Sequence, residues 1–327
     1  MSEAATIPAL EGQVDSSLAE AARGWESCVQ SVRFERVNSD SPLERQAVEC
    51  PDGTVLVAWT VGPIDGSPII LASGGGADHR VWRSVVPELC ESNAERALWA
   101  PHGRSLAERC RVVVFDQRGT GESVKVPPAD SARLLGEDLT TVGGSLLSAP
   151  WCVVGHSMGG MAALQAVLDH PESVSGLGLI STTAGGSGLT WPTAAYLERA
   201  ASGYDSGGLK ATDDLELAVS ARFRVEHRSL YDAVAKEAIA QPRAVGPEDL
   251  ARVFMSHDVS NRLGGISVPT VVICGGDDCV HPPANSSFLA ERISASRFVP
   301  LEEVGHLVNV EAPVLLIDEI CRMTGKA

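Results

Sequence analysis

The chain has no pair of cysteines spaced as CxxC. Its eight cysteines (Cys28, Cys50, Cys90, Cys110, Cys152, Cys274, Cys279 and Cys321) are scattered, which argues against the common structural zinc pattern and predicts reduced, buried thiols. It also lacks any apolar run near the ~20 residues that span a bilayer, so no membrane partner is expected. The first stretch, MSEAATIPALEGQ, has no basic start ahead of an apolar segment, which predicts a cytoplasmic protein. Basic residues are in deficit: 26 Lys and Arg face 42 Asp and Glu, for a net charge of −16. Nucleic-acid binding leans on clustered basic side chains to neutralise phosphates, so a nucleic-acid partner is not expected, and the acid excess reads as solubility. The glycine-rich stretch at 116–123 has neither the Lys and Ser/Thr of a P-loop nor a GxGxxG fingerprint. It reads as a structural turn, and neither a cofactor nor a metal is called for. The expected partner is a small-molecule substrate, and the sequence leaves oligomeric state open.

What is present is a strand and helix alternation. Residues 1–45 form a polar, acidic N-terminal extension of unassigned function, with a possible short amphipathic helix around LAEAARGWESCVQ. From Gln46, QAVEC, the turn PDG and TVLVAWTV read as a β-hairpin. The runs PIILA (68–72), RVVVF (111–115) and WCVV (151–154) are apolar on both faces, as strands of a parallel sheet covered by helices are. Helix-like stretches, VWRSVVPELC and SARLLGEDLTTVGGSLL, lie between them, so the fold class is α/β. After SGLGLIST the strand runs stop. Residues 185–263 read as an inserted helical cap, with WPTAAYLERAAS, DDLELAVSARFRVEH, SLYDAVAKEAIA and PEDLARVFMSH as its helices. VPTVVICGG, SRFVPLEEVGH and PVLLIDEICRM then resume and close the pattern, giving a core of 46–184 and 264–327.

The chemistry begins at WCVVGHSMGG. GHSMG places Ser157 between glycines, after a strand-like run and before the helix-like MAALQAVLDH, as a nucleophile elbow requires. A serine hydroxyl needs a base to take its proton, and the base needs an acid to orient it. Asp278 follows VVIC in a GxxD spacing, with Asp277 as its competitor, and His306 follows the last strand-like run. The order Ser, acid, His is that of one known class of hydrolase. An oxyanion would be held by two backbone N–H groups. Met158 follows the nucleophile; Gly75 is the expected second donor in LASGGGADH, with Gly76 as its neighbour and rival.

These features together resemble the α/β-hydrolase superfamily in its branch with a helical cap, over roughly residues 46–327. FDQRGTGES (115–123) is similar to the DxRGxGxS loop of that branch, and PTVVICGGDDCVHPP to its acid-bearing segment. The resemblance implies an α/β-hydrolase fold, a Ser157–Asp278–His306 triad and a substrate pocket under residues of about 185–263. Two departures stand out: Ser73-Gly74 replaces the usual His-Gly of the oxyanion loop, and the region between Arg83 and Cys110 carries extra residues, including NAERALWAPHGRS.

The expected activity is hydrolysis of a small ester or lactone through an acyl-enzyme. Proline iminopeptidases usually carry GGSWG and carbon–carbon hydrolases often GNSMGG, so GHSMGG counts against both. An acyltransferase or cyclase on the same scaffold stays open, as does a hydrolase-like protein that binds a small ligand with little turnover. Among the other candidates, His156 reads as packing beside the nucleophile, His79 as an exposed loop histidine, and His281 as a weak metal candidate set aside for want of partners. In the cap, Trp191, Tyr196, Phe223, Tyr231 and Phe254 read as core or pocket lining.

Overall fold

A computed structural model describes residues 43–148, 150–205, 211–240 and 244–325; the amphipathic helix expected near residues 18–30 lies outside the described residues. The PDG turn forms as its chemistry dictates: Gly53 adopts φ +80°, its N–H reaches Cys50 O at 2.8 Å, and Asp52 Oδ1 accepts from Thr54 N and Oγ1 at 3.0 and 2.7 Å. The turn joins β1 (Glu44–Glu49) to β2 (Val55–Val61) as an antiparallel hairpin. β1 thus starts two residues before Gln46.

The remaining strands are β3 (Ser67–Ala72), β4 (Cys110–Phe115), β5 (Trp151–His156), β6 (Val174–Ile180), β7 (Thr270–Gly275) and β8 (Ser296–Leu301). They build one 8-stranded sheet in the order β1-β2-β4-β3-β5-β6-β7-β8. From β4 onward every neighbouring pair is parallel. β5 and β7 are buried at every position, which is why their sequences are continuous apolar runs rather than alternating ones. β8 is an edge strand with no fully buried position, and it carries Pro300, a residue the sheet interior would reject.

Helices cover both faces. The first are α1 (Asn93–Trp99), α2 (Ala132–Leu146) and α3 (Met158–Asp169). Between β6 and β7 come α4 (Ala194–Asp205), α5 (Ala211–Ala218), α6 (Ala221–Glu226), α7 (Arg228–Ala240) and α8 (Pro247–Ser256). α9 (Pro283–Arg292), α10 (Val308–Glu311) and α11 (Pro313–Met323) follow. Alternation along β3 divides the core. Ile70 and Ala72 pack with Leu139 and Leu164 of α2 and α3 on one face, while Ile69 and Leu71 pack with Trp82, Leu316 and Ile320 on the other. No helix among the described residues is long and apolar enough to cross a membrane.

Two expectations fail locally. VWRSVVPELC is not one helix but two short 3-10 turns, His79–Trp82 and Pro87–Leu89, because Pro87 has no N–H to continue a ladder. DDLELAVSARFRVEH breaks at Ser220, whose hydroxyl accepts from Phe223 N at 3.1 Å and caps α6; a serine gains more at a helix start than inside one.

The extra residues between Arg83 and Cys110 acquire a role. Trp99, 3% exposed, is buried with Val219, Phe223 and Val234, and buried Arg83 pairs with Glu95 at 2.7 Å and with Glu237 on α7. The insertion braces the helices that separate β6 from β7. Trp99→Ala should destabilise the protein by about 3–5 kcal/mol, read as a lower urea midpoint. An unchanged midpoint would show that this packing contributes nothing.

Candidate active site

β5 ends at His156 and α3 begins at Met158, so Ser157 alone makes the turn. Its backbone sits at φ 54°, ψ −119°, outside the regions that an L-residue occupies without cost. Glycines make this possible by letting backbone meet backbone. A Cβ at Gly155 would lie 2.2 Å from Gly159 O, one at Gly159 2.2 Å from Ala72 O, and one at Gly160 2.6 Å from Thr182 Cβ. The turn is tied to β6: Ser157 N donates to Ile180 O at 2.9 Å and Thr182 Oγ1 donates to Ser157 O at 2.7 Å.

Asp278 leaves β7 in a tight turn and is buried, whereas Asp277 is exposed. Asp278 Oδ1 accepts from Val280 N and His281 N at 2.9 and 2.8 Å, and Oδ2 lies 2.9 Å from His306 Nδ1. Of the two adjacent acids, Asp278 is therefore the one that meets the histidine. Burial alone would raise its carboxyl, but His306 and the N–H donors outweigh burial and hold it below the usual carboxylate range. The His306 backbone is held too, its N–H donating to Ala218 O at 2.8 Å. His156 Nε2 contacts His306 O at 2.9 Å, and the two rings lie 4.8 Å apart. No hydrogen bond joins Ser157 Oγ to His306 among the described residues; His156, next in sequence to the serine, links the two. Catalytic hydrogen bonds are often completed only when substrate binds.

The loop after β3 faces the same point. Trp82 Nε1 donates to Ser73 Oγ at 3.1 Å and Gln117 Nε2 to Ser73 O at 2.9 Å, so the serine at this position anchors the loop instead of facing the site. Ala77 N closes the turn onto Gly74 O at 3.2 Å. Among the described residues, the N–H groups of Gly75 and Gly76 donate to no backbone acceptor. A Cβ on Gly75 would meet Leu250 Cδ2 at 2.9 Å and Met158 Cε at 3.2 Å; the loop thus lies against both Met158 and α8.

His79 is half-buried rather than exposed. It stacks on Trp59 at 3.6 Å, and its Nδ1 and backbone N both meet Asp116 Oδ1 at 2.8 Å. Asp78, His79 and Asp116 could together offer ligand atoms to an ion, but each is engaged: Arg80 pairs with Asp78 at 2.6 Å, and Glu122 N donates to Asp116 Oδ2 at 2.7 Å. The 116–123 stretch is the turn its glycines suggested. Its Arg118 is held by Asp138 at 2.6 and 2.8 Å and by Asp52 at 2.8 Å.

Reading residues singly misses the rings gathered around His306. His281 packs against it at 5.5 Å, Phe254 of α8 stacks on His281 at 5.9 Å, and Trp191 lies 5.9 Å from Phe254. Of the cap aromatics, Phe223 is core and Tyr231 packs beside Arg228.

Burial pushes His156 and His281 down to about 3, helped by the nearby His306 charge, and His257 down to about 4. His156 and His257 direct Nε2 at carbonyl oxygens, which assigns the N–H there and leaves Nδ1 as a bare acceptor. These three groups bind protons in the unfolded chain below pH ~6.5 but not in the folded one. Stability should therefore fall as pH drops from ~6.5 toward about 4, by on the order of 1 kcal/mol per pH unit for each histidine. Melting temperatures at pH 7 and pH 5 check this; His257→Gln should narrow the drop, and an unaltered drop would contradict the neutral assignment of His257.

Residues 67–313 match the family described as alpha/beta hydrolase fold. A protein of Klebsiella pneumoniae named as a carbamate hydrolase, RutD, is 28% identical over 76% of this chain and 88% of its own length. Its namesake in Cronobacter turicensis is 30% identical over 66% of this chain and 81% of its own. Among solved structures, Est816, described as an N-acyl homoserine lactone degrading enzyme, aligns at 27% identity and a TM-score of 0.66, covering 84% of this chain and 98% of that one. The chain belongs to the α/β-hydrolase fold family and is a hydrolase.

Proposed function

We propose that the protein cleaves a small-molecule ester or lactone through an acyl-enzyme on Ser157. The observation that carries this reading is the 2.9 Å contact between Asp278 Oδ2 and His306 Nδ1. It supports the tautomer with Nδ1 protonated, in which His306 Nε2 serves as the base beside an elbow serine.

In the first half-reaction Ser157 Oγ bonds to the substrate carbonyl carbon as His306 Nε2 takes the hydroxyl proton. The N–H groups of Gly75 and Met158 receive the oxyanion, with Gly76 the alternative to Gly75. The bond to the leaving oxygen then breaks, and His306 returns its proton to that oxygen. In the second half a water gives its proton to His306 and attacks the acyl carbon; Ser157 recovers the proton as the acid leaves. Asp278 stays ionised throughout and stabilises the imidazolium. The described residues of 185–263 act as a lid over the site, a reading supported by the contact of Leu250 with Gly75.

The relatives named as carbamate hydrolases favour a second reading, in which the scissile carbonyl belongs to a carbamate. The same groups would serve, since a carbamate carbonyl is attacked by the same route.

Intact-mass labelling with a fluorophosphonate should add one adduct to the wild type and none to Ser157→Ala. A folded wild type that takes no adduct would turn the reading toward a ligand-binding protein. With labelling established, a panel of matched esters, lactones and carbamates decides the substrate. Asp278→Asn should retain the fold and lower kcat by roughly 10⁴-fold, as loss of the orienting acid does elsewhere. Near-normal turnover would remove Asp278 from the role.

A further inference from the structure

α8 touches the site on two sides that differ in chemistry. Leu250 lies over Gly75, and with Val253 it walls a shallow, open cleft that also reaches Gly76 and Met158. Phe254, next along the helix, instead faces His281 and so the flank of His306.

The geometry of acyl transfer gives each side a part of the substrate. The tetrahedral carbon carries Ser157 Oγ, the oxyanion, the leaving oxygen and the acyl substituent. The oxyanion must point at the loop N–H groups, and the leaving oxygen must reach His306 Nε2, which protonates it. The acyl substituent takes the remaining direction, toward the cleft that opens beside Met158 and Gly76 and whose wall includes none of Ser157, His306 and Asp278. The leaving group lies on the His306 flank, beside a row of rings from His281 through Phe254 to Trp191, which is 54% exposed.

Among the described residues, the cleft holds no free charge to meet an ionised acyl group. Arg118 is engaged by Asp138 and Asp52. Asp249 accepts from Gly246 N at 2.9 Å and pairs with Arg252 at 3.2 Å. The rest of its wall includes Pro128, Ala129 and Leu135. A carboxylate placed there would lose its hydration with no partner in return.

Resting on the Ser157 reading, we infer that α8 is the specificity element of the enzyme and that it selects an uncharged, apolar acyl group together with a planar, ring-bearing leaving group. Leu250 and Val253 read the acyl chain; Phe254 reads the leaving group, through ring contacts of the kind aromatic pairs make.

The test is a grid of esters that varies acyl chain (acetyl, butyryl, hexanoyl, hemisuccinyl) against leaving alcohol (phenol, naphthol, cyclohexanol), with kcat/KM compared as ratios between variants so that intrinsic reactivity cancels. Wild type should favour butyryl over hemisuccinyl by at least roughly tenfold. Leu250→Ala should change the hexanoyl-to-acetyl ratio by roughly tenfold and leave the naphthol-to-cyclohexanol ratio unmoved. Phe254→Leu, which keeps the apolar bulk, should do the reverse. Fluorophosphonate labelling of each variant reports whether the serine machinery is intact. Turnover with both ratios unmoved by both variants, or hemisuccinyl preferred by wild type, overturns the inference while leaving the Ser157 reading in place. An unlabelled wild type without turnover on any ester overturns that reading itself.

Discussion

Everything at the candidate site hangs on one close approach, that of α3 to β3 and β5 around Ser157. With Gly155 against Gly159 O and Gly159 against Ala72 O, no side-chain layer separates helix from sheet, and the single residue between them must take φ 54°, ψ −119°. A conformation of that kind costs on the order of 1–3 kcal/mol and persists only where its surroundings over-determine it. Here the surroundings are the bonds to Ile180 O and from Thr182 Oγ1. The serine is thereby held at the junction of β5 and α3.

Around that fixed point the other groups are held by contacts distant in sequence. His156 contacts His306 O across 150 residues, so the strand that carries Ser157 also holds His306. His281 donates its backbone N–H to Asp278 and lays its ring beside His306. Both imidazoles are kept neutral by burial, which leaves His306 free of a second cation at its side. Farther out, α1 and the Arg83 pairs brace α7.

Much of this was legible before the fold. The continuous apolar runs predicted a parallel sheet because strands buried on both faces leave no polar register to read, and β5 and β7 are buried throughout. GHSMG was readable because its glycines answer a local backbone demand. The helix expected at VWRSVVPELC failed because propensity there yields to Pro87 and to packing of Trp82, and His79 was misjudged because the stacking of Trp59 on it is not a local property.

The sequence by itself determined the succession of strands along the chain, the glycine-flanked serine and the two segments that bring an acid and a histidine, because each is encoded within a few residues by burial pattern and turn chemistry. Only the tertiary structure decided between Asp277 and Asp278, joined His156 to His306, gave the insertion near Trp99 its bracing role and laid α8 across both sides of the site. Those outcomes depend on which surfaces meet when a sheet and its helices close around one core, and no local pattern carries that distance.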